Sequence, residues 1–172
     1  MNLLFRLMAV LVAALAGRRV GLLDATRLSM RVWPTDLDVN MHMTNARYLS
    51  LMDLGRIDLM IRTGMAPLIL KNRWQPVIGA ANVRFRRSLR PFQRFTLVSR
   101  VLCWDEKYVF MEHRMETAEG TAAVAVMQGA FIHRGTVVPP AAVLGALGVA
   151  VESPPMPDFV VAWREQPLPA AA

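Results

Sequence analysis

From Tyr48 to Thr63 the chain reads Y-L-S-L-M-D-L-G-R-I-D-L-M-I-R-T, with apolar residues at helical spacing on two sides at once. Leu49, Met52, Gly55, Leu59 and Met60 make one stripe; Leu51, Leu54, Ile57 and Ile61 make a second. A helix that is apolar nearly all round has to be covered on most sides. A curved sheet wrapped around it meets that demand. Gly55 in mid-helix costs about 1 kcal/mol relative to Ala, which predicts that a neighbouring backbone approaches there. Gly64 and Pro67 read as the signals that end the helix.

The rest of the chain supplies the sheet. Thr26 to Trp33 alternates polar and apolar residues as a strand does. After a loop near Lys71–Arg73, strands are predicted over Gln75–Leu89, Phe95–Trp104, Tyr108–Thr117 and Thr121–His133. Arg90-Pro91, Asp105-Glu106-Lys107 and Glu119-Gly120 are the turns between them, which argues for an antiparallel meander. The order β-α-β-β-β-β is an α+β arrangement. A short helix is expected over Ala141–Leu147, and the Pro-rich stretch from Ser153 on is expected to be extended or frayed. At 172 residues and 54% hydrophobic content, one well-filled domain is expected. Its parts are an apolar helix over residues 1–19, a main domain over 20–151 and a tail over 152–172.

Between the first strand and the helix lies W-P-T-D-L-D-V-N-M-H-M-T-N-A-R-Y, with Asp36, Asp38, His42, Asn45 and Tyr48. Steps of three from His42 to Tyr48 suggest one helical face. A helix start offers unpaired N–H groups and partial positive charge, so a carboxylate beside it can attack, or direct water at, a carbonyl whose oxygen those groups bind. The plain reading of Asp38 is a loop aspartate bonding its own backbone, and Asp36 reads as fixing the turn after Pro34. Thr44 or Asn45 is the expected N-cap.

The pattern D-x-D-x-x-x-H-x-x-N-x-x-Y before a helix resembles the hotdog-fold acyl-CoA thioesterases. The likeness is to their 4-hydroxybenzoyl-CoA thioesterase-like branch, which includes the thioesterase superfamily member 6-type proteins, and it runs from about Leu22 to Arg134. It implies a five-stranded antiparallel sheet around one long helix, with an extra N-terminal helix here. It further implies hydrolysis of an acyl-CoA or acyl-carrier thioester, with Asp38 as nucleophile or general base. The amide of Asn45 would be the oxyanion site, and His42 would orient substrate or water or else bridge loop and sheet. Tyr48, Asp53, Arg84, Arg86 and Arg87 are the candidate substrate contacts. Among these Tyr48 also fits a packing role, Asp53 pairs with Arg56, and the arginines suit CoA phosphates or a solvated strand face. Many relatives carry Gly where this chain has Met41. No cofactor or metal is implied, and a homodimer or homotetramer with the site at the subunit interface is. The alternatives are a non-catalytic acyl-CoA-binding or membrane-associated hotdog protein, and a dehydratase acting on acyl thioesters.

Charge and the few special residues add less. Net charge is +7, yet no nucleic-acid-binding motif accompanies it. Cys103, the sole cysteine, excludes an intrachain disulfide and reads as a buried thiol. His42, His113 and His133 lack ligand spacing. The 12 methionines read as core and adaptable pocket lining. Residues 1–19 combine an apolar run with Arg6, Arg18 and Arg19. Ten uninterrupted apolar residues fall short of the roughly 20 that a span needs. They are therefore read first as a helix that packs on the domain or lies on a membrane surface, then as a cleaved signal, then as a span. A CoA ester as substrate implies a cytoplasmic protein, with membrane association open.

Overall fold

The structure, a computed structural model, describes residues 3–165. Helix α1 (Leu3–Ala16) precedes strand β1 (Thr26–Arg31), a 3-10 turn (Pro34–Asp36) and the long helix α2 (Asn45–Arg62). Then come α3 (Met65–Asn72), β2 (Gln75–Phe85), β3 (Arg94–Trp104), β4 (Val109–Thr117), β5 (Gly120–His133), β6 (Thr136–Val138), α4 (Pro140–Leu147) and α5 (Asp158–Arg164). The sheet is antiparallel in the order β1-β3-β4-β5-β2, with the short β6 added alongside β5. The curled sheet, with α2 against it, is the expected hotdog fold, extended by α1. The sixth strand goes beyond the expected five; Gly135 at φ 83 turns the chain tightly enough for it to form.

Alternation along the strands explains how α2 is covered. Phe95 and Leu97 of β3 pack into one cluster with Leu51, Met52 and Leu54 of α2. At Gly55 a Cβ would lie 2.4 Å from the Ser99 hydroxyl and 2.8 Å from Leu97 Cδ2. The close approach expected there is real, but side chains of β3 make it, not backbone. The register slips between Val101 and Cys103. That slip sends Cys103 into a second cluster with Phe110, Val126 and Val160, beneath α5. The thiol is buried as expected, and burial together with Asp105 pushes its pKa up against the pull of Arg164.

Strand β2 ends at Phe85, four residues before the expected Leu89, and two other segments differ from the sequence reading. Gly64 does follow α2, in the left-handed region at φ 85, but it serves as the N-cap of α3. Pro67 then sits in the first turn of α3, where its missing N–H has no helical partner to lose. It opens a helix instead of closing one. The Pro-rich tail is extended as far as Pro157, with the Ser153 hydroxyl accepting from the Trp104 amide at 2.9 Å. It then forms α5, which buries Val160 and sets Trp163 edge-on to Phe110 at 6.4 Å. Residues 166–172 of that tail lie outside the described residues.

Helix α1 packs against α2, burying Arg6, Val10 and Ala14. Among the described residues no helix is long and apolar enough to cross a membrane.

Candidate active site

The segment between the 3-10 turn and α2 folds back on itself as a small hairpin. The Thr44 amide donates to Asp36 O at 2.9 Å, Leu37 and Met43 form an antiparallel bridge, and the Asp38 amide donates to His42 O at 2.8 Å. The tip closes with the Met41 amide donating to Asp38 O at 3.1 Å. This is a three-residue loop, a type I turn followed by one left-handed residue. Met41 is that residue, at φ 59. That conformation favours glycine, the residue the resemblance leads one to expect there. Met adopts it here at a cost of about 1–2 kcal/mol.

His42 therefore lies on the hairpin, ahead of the cap, and does not share a helical face with Asn45 and Tyr48 as the spacing suggested. Its main chain pairs with Asp38, and the residue is half-buried. The Asp38 side chain accepts from the amides of Asn40 (2.9 Å) and His42 (3.3 Å), bonds that lie at the protein surface. Both use Oδ1, so it is an Asx-turn carboxylate that leaves Oδ2 for other partners. Thr44 is the N-cap of α2 but makes no side-chain bond to the first turn, and Asn45 and Ala46 are exposed. An open carboxylate and a helix start without a side-chain cap thus sit at the two ends of one short ladder.

Asp36 is placed quite differently. It is fully buried, its Oδ2 accepting from Arg6 of α1 and from the Trp33 amide at 2.8 Å, while Arg47 Nε lies 3.1 Å from Oδ1. It fixes the turn, as read, and also pins α1 to α2. The hairpin is held from below by the Met43 amide, which donates to Leu89 O at 2.9 Å. Tyr48 completes this clamp. Its hydroxyl accepts from the Leu89 amide at 3.1 Å and donates to Arg87 O at 3.4 Å, and its ring meets Phe85 edge-on at 5.1 Å. Tyr48 is only 2% exposed, and burial raises its pKa despite the Leu89 amide. Its role is to seat α2 on the segment after β2; a substrate contact would have to reach a hydroxyl that the backbone already occupies.

The arginines separate. Arg87 enters that clamp through its main-chain carbonyl, two residues before the Leu89 that anchors the hairpin. Arg84 and Arg86 line a surface cleft with Phe159 and Trp163 of α5, away from the hairpin's anchor. Asp53 is exposed and pairs with Arg56 at 2.8 Å, as expected, on the same outer face of α2 as Asn45 and Leu49. Among the described residues no cluster of His, Cys, Asp and Glu is arranged to hold a metal ion.

Buried polar groups under α2 escaped the sequence reading. His113 of β4 bonds the Ser99 hydroxyl through Nδ1 at 2.8 Å, and its Nε2 has no partner among the described residues. Burial, then the charge of Arg56, lowers its pKa to about 3. Asp58 of α2 is also fully buried, and burial raises its pKa; the Thr26 hydroxyl and Arg62 oppose the shift, although no donor reaches hydrogen-bonding geometry with either carboxylate oxygen. The signal available was an Asp on an otherwise inward helical face and a His at an inward strand position. Nearby, toward the C-terminal half of α2, a cavity of about 50 Å³ is walled by Met60, Met65, Val101, Met111 and Phe131, with Arg56 its one charged lining residue. Methionines do line this pocket, in keeping with the composition.

The fold finds its counterpart among known proteins. Residues 32–164 match the Thioesterase-like superfamily, and the chain belongs to that family. Protein THEM6 of Xenopus laevis is 33% identical over 135 residues, covering 77% of this chain and 63% of that protein. The chain thus spans somewhat under two thirds of that relative. In solved structures, the fold resembles the YbaW probable thioesterase of Escherichia coli (TM-score 0.66, 20% identity, 70% of this chain and 94% of that one). It also resembles a thioesterase of Thermus thermophilus complexed with coenzyme A and Zn (TM-score 0.62, 23% identity, 73% and 98%).

Proposed function

We propose that this chain hydrolyses acyl-CoA thioesters, with Asp38 as nucleophile or general base and the amide of Asn45 as the oxyanion donor. The observation that carries the reading is the surface Asp38 carboxylate on a hairpin whose other strand leads straight into the start of α2, which no side chain caps. A thioester carbonyl laid across that start would have its oxygen met by backbone N–H and helix dipole. The Asp38 carboxylate would either attack the carbonyl carbon and expel the CoA thiolate, leaving a mixed anhydride that water then hydrolyses, or take a proton from a water that attacks the carbon and expels the thiolate. Neither route calls for a cofactor. His42 shares the hairpin rung with Asp38 and would orient the attacking group, and Arg87 is the arginine best tied to the site for a CoA phosphate.

Family membership and a structural neighbour whose bound ligand is coenzyme A support this substrate class. A CoA ester would place the protein in the cytoplasm. A dimer joined through the edge of β2, which among the described residues pairs only with β5, would bring two such sites together; light scattering tests it. The test of function is free-thiol release from a panel of acyl-CoAs. Turnover of at least one member is expected. Measurable acyl-CoA binding with no turnover would favour the non-catalytic binding protein instead.

A further inference from the structure

Helix α1 carries two opposed apolar faces, and the domain uses only one. Arg6, Val10 and Ala14 are buried, with Leu3 and Leu7 packed beside them. On the far side Phe5, Met8, Val12 and Leu15 are exposed, by 52–75%. At about 100° per residue these four fall within a single stripe less than a quarter-turn wide. The one charge inside the apolar run, Arg6, points the other way and is neutralised by Asp36. The outer stripe is therefore free of charge along its whole length.

The surroundings of the stripe are basic. Arg18 and Arg19 follow the helix and are exposed, although Arg19 donates to Ile61 O at 3.0 Å and so turns toward the end of α2. Next around the helix from the stripe, Ala9 and Ala13 line a cleft of about 880 Å³ along the edge of β1, shared with Arg31 and Arg94. Those two arginines stand directly opposite each other across β1 and β3. Like charges in that position repel, and among the described residues neither meets a carboxylate, while Glu116 in the same cleft is engaged by Arg27 at 3.2 Å.

We infer that α1 docks the protein on an anionic lipid surface, its Phe5–Leu15 stripe entering the boundary of headgroups and acyl chains and Arg18, Arg31 and Arg94 meeting lipid phosphates or carboxylates. The 14 described residues of α1 are about 21 Å long, short of a hydrocarbon core of about 30 Å, and with their inner face packed on the domain they would lie in the interface. An uncharged apolar face rimmed by arginine is what such interfacial helices present. A second copy of the chain is a poorer occupant. Stable dimers bury roughly 800 Å² per partner, more than one stripe on so short a helix offers.

The test is co-sedimentation of the full chain with phosphatidylcholine vesicles, with and without phosphatidylserine. Binding is expected only, or far more strongly, when phosphatidylserine is present. The double variant Phe5→Glu/Val12→Glu should weaken it about tenfold or more, with an unchanged thermal melt and unchanged hydrolysis of a short soluble acyl-CoA. The milder Phe5→Ser replaces it if the melt shifts. Arg31→Gln/Arg94→Gln should reduce the preference for phosphatidylserine. A parent protein that stays in the supernatant, equal binding to both vesicles, or a double variant that binds as well as the parent would each overturn the inference. So would a halving of the mass by light scattering in that variant, which would give the stripe to a second copy.

Discussion

Asp36 and Asp38 are two residues apart in sequence, yet they live in opposite surroundings. Asp36 is sealed from water and shared by Arg6 of α1, Arg47 of α2 and the Trp33 amide. Asp38 stands at the surface and bonds amides of its own loop. Chain geometry makes the difference. The 3-10 turn aims one carboxylate into the seam between two helices, and the hairpin that follows aims the other outward. A pair that looks like an acid–base couple is divided into a structural member and, on the proposed chemistry, a reactive one.

The largest expected effect breaks the comparison from its buried side. Asp36→Asn should cost about 3–5 kcal/mol, since Arg6 is left buried without its counter-charge; urea denaturation measures it. Arg6→Met should cost less, because both Arg47 and the Trp33 amide still serve the carboxylate. In the same assay Asp38→Asn should shift stability by no more than about 0.5 kcal/mol, since an Asn oxygen can accept the same two amide bonds.

Acid would blur the contrast, and a third residue says where. His113 is neutral in the folded state with a pKa of about 3, against 6.5 for the ordinary group. Between those values the unfolded chain binds the additional proton, so His113 makes stability fall as pH drops from about 6.5 toward 3. His113→Gln should flatten that part of the pH–stability curve, read by melts across the range. Asp58 acts oppositely: its raised pKa means the buried carboxylate disfavours folding once ionised. Asp58→Asn should raise the melting temperature at neutral pH.

The smallest effect sharpens the exposed side. Met41 is held at φ 59 and is largely exposed. Met41→Gly should stabilise the protein by about 0.5–1 kcal/mol, the conformational relief less the entropy that Gly adds to the unfolded chain. Hydrolysis should be unchanged if the hairpin keeps its present shape.

Much of the fold could be read from local pattern, because alternation and helical spacing are local facts. Strands β3, β4 and β5 fall within a few residues of their predicted ranges, and Tyr48 lies on α2 as placed. What escaped depended on partners remote in sequence. The direction of Asp36 rests on Arg6, which lies 30 residues upstream. The face of Cys103 rests on a register slip against β4. Helix α5 exists within a Pro-rich tail because Val160 and Trp163 find Phe110 and Cys103. Pro67 was ambiguous for another reason, since a proline shortly after a glycine can end one helix or begin the next. At the site, the residue types were legible, but the hairpin that takes His42 off the helix was written in backbone bonds.

The most direct test is free-thiol release from a turned-over acyl-CoA by folded Asp38→Asn beside the parent protein. A loss of at least about a hundredfold in kcat, with the melt intact, is the expected result. An undiminished rate would take Asp38 out of the chemistry and leave Asp53, on the same outer face of α2 as Asn45, as the carboxylate to examine.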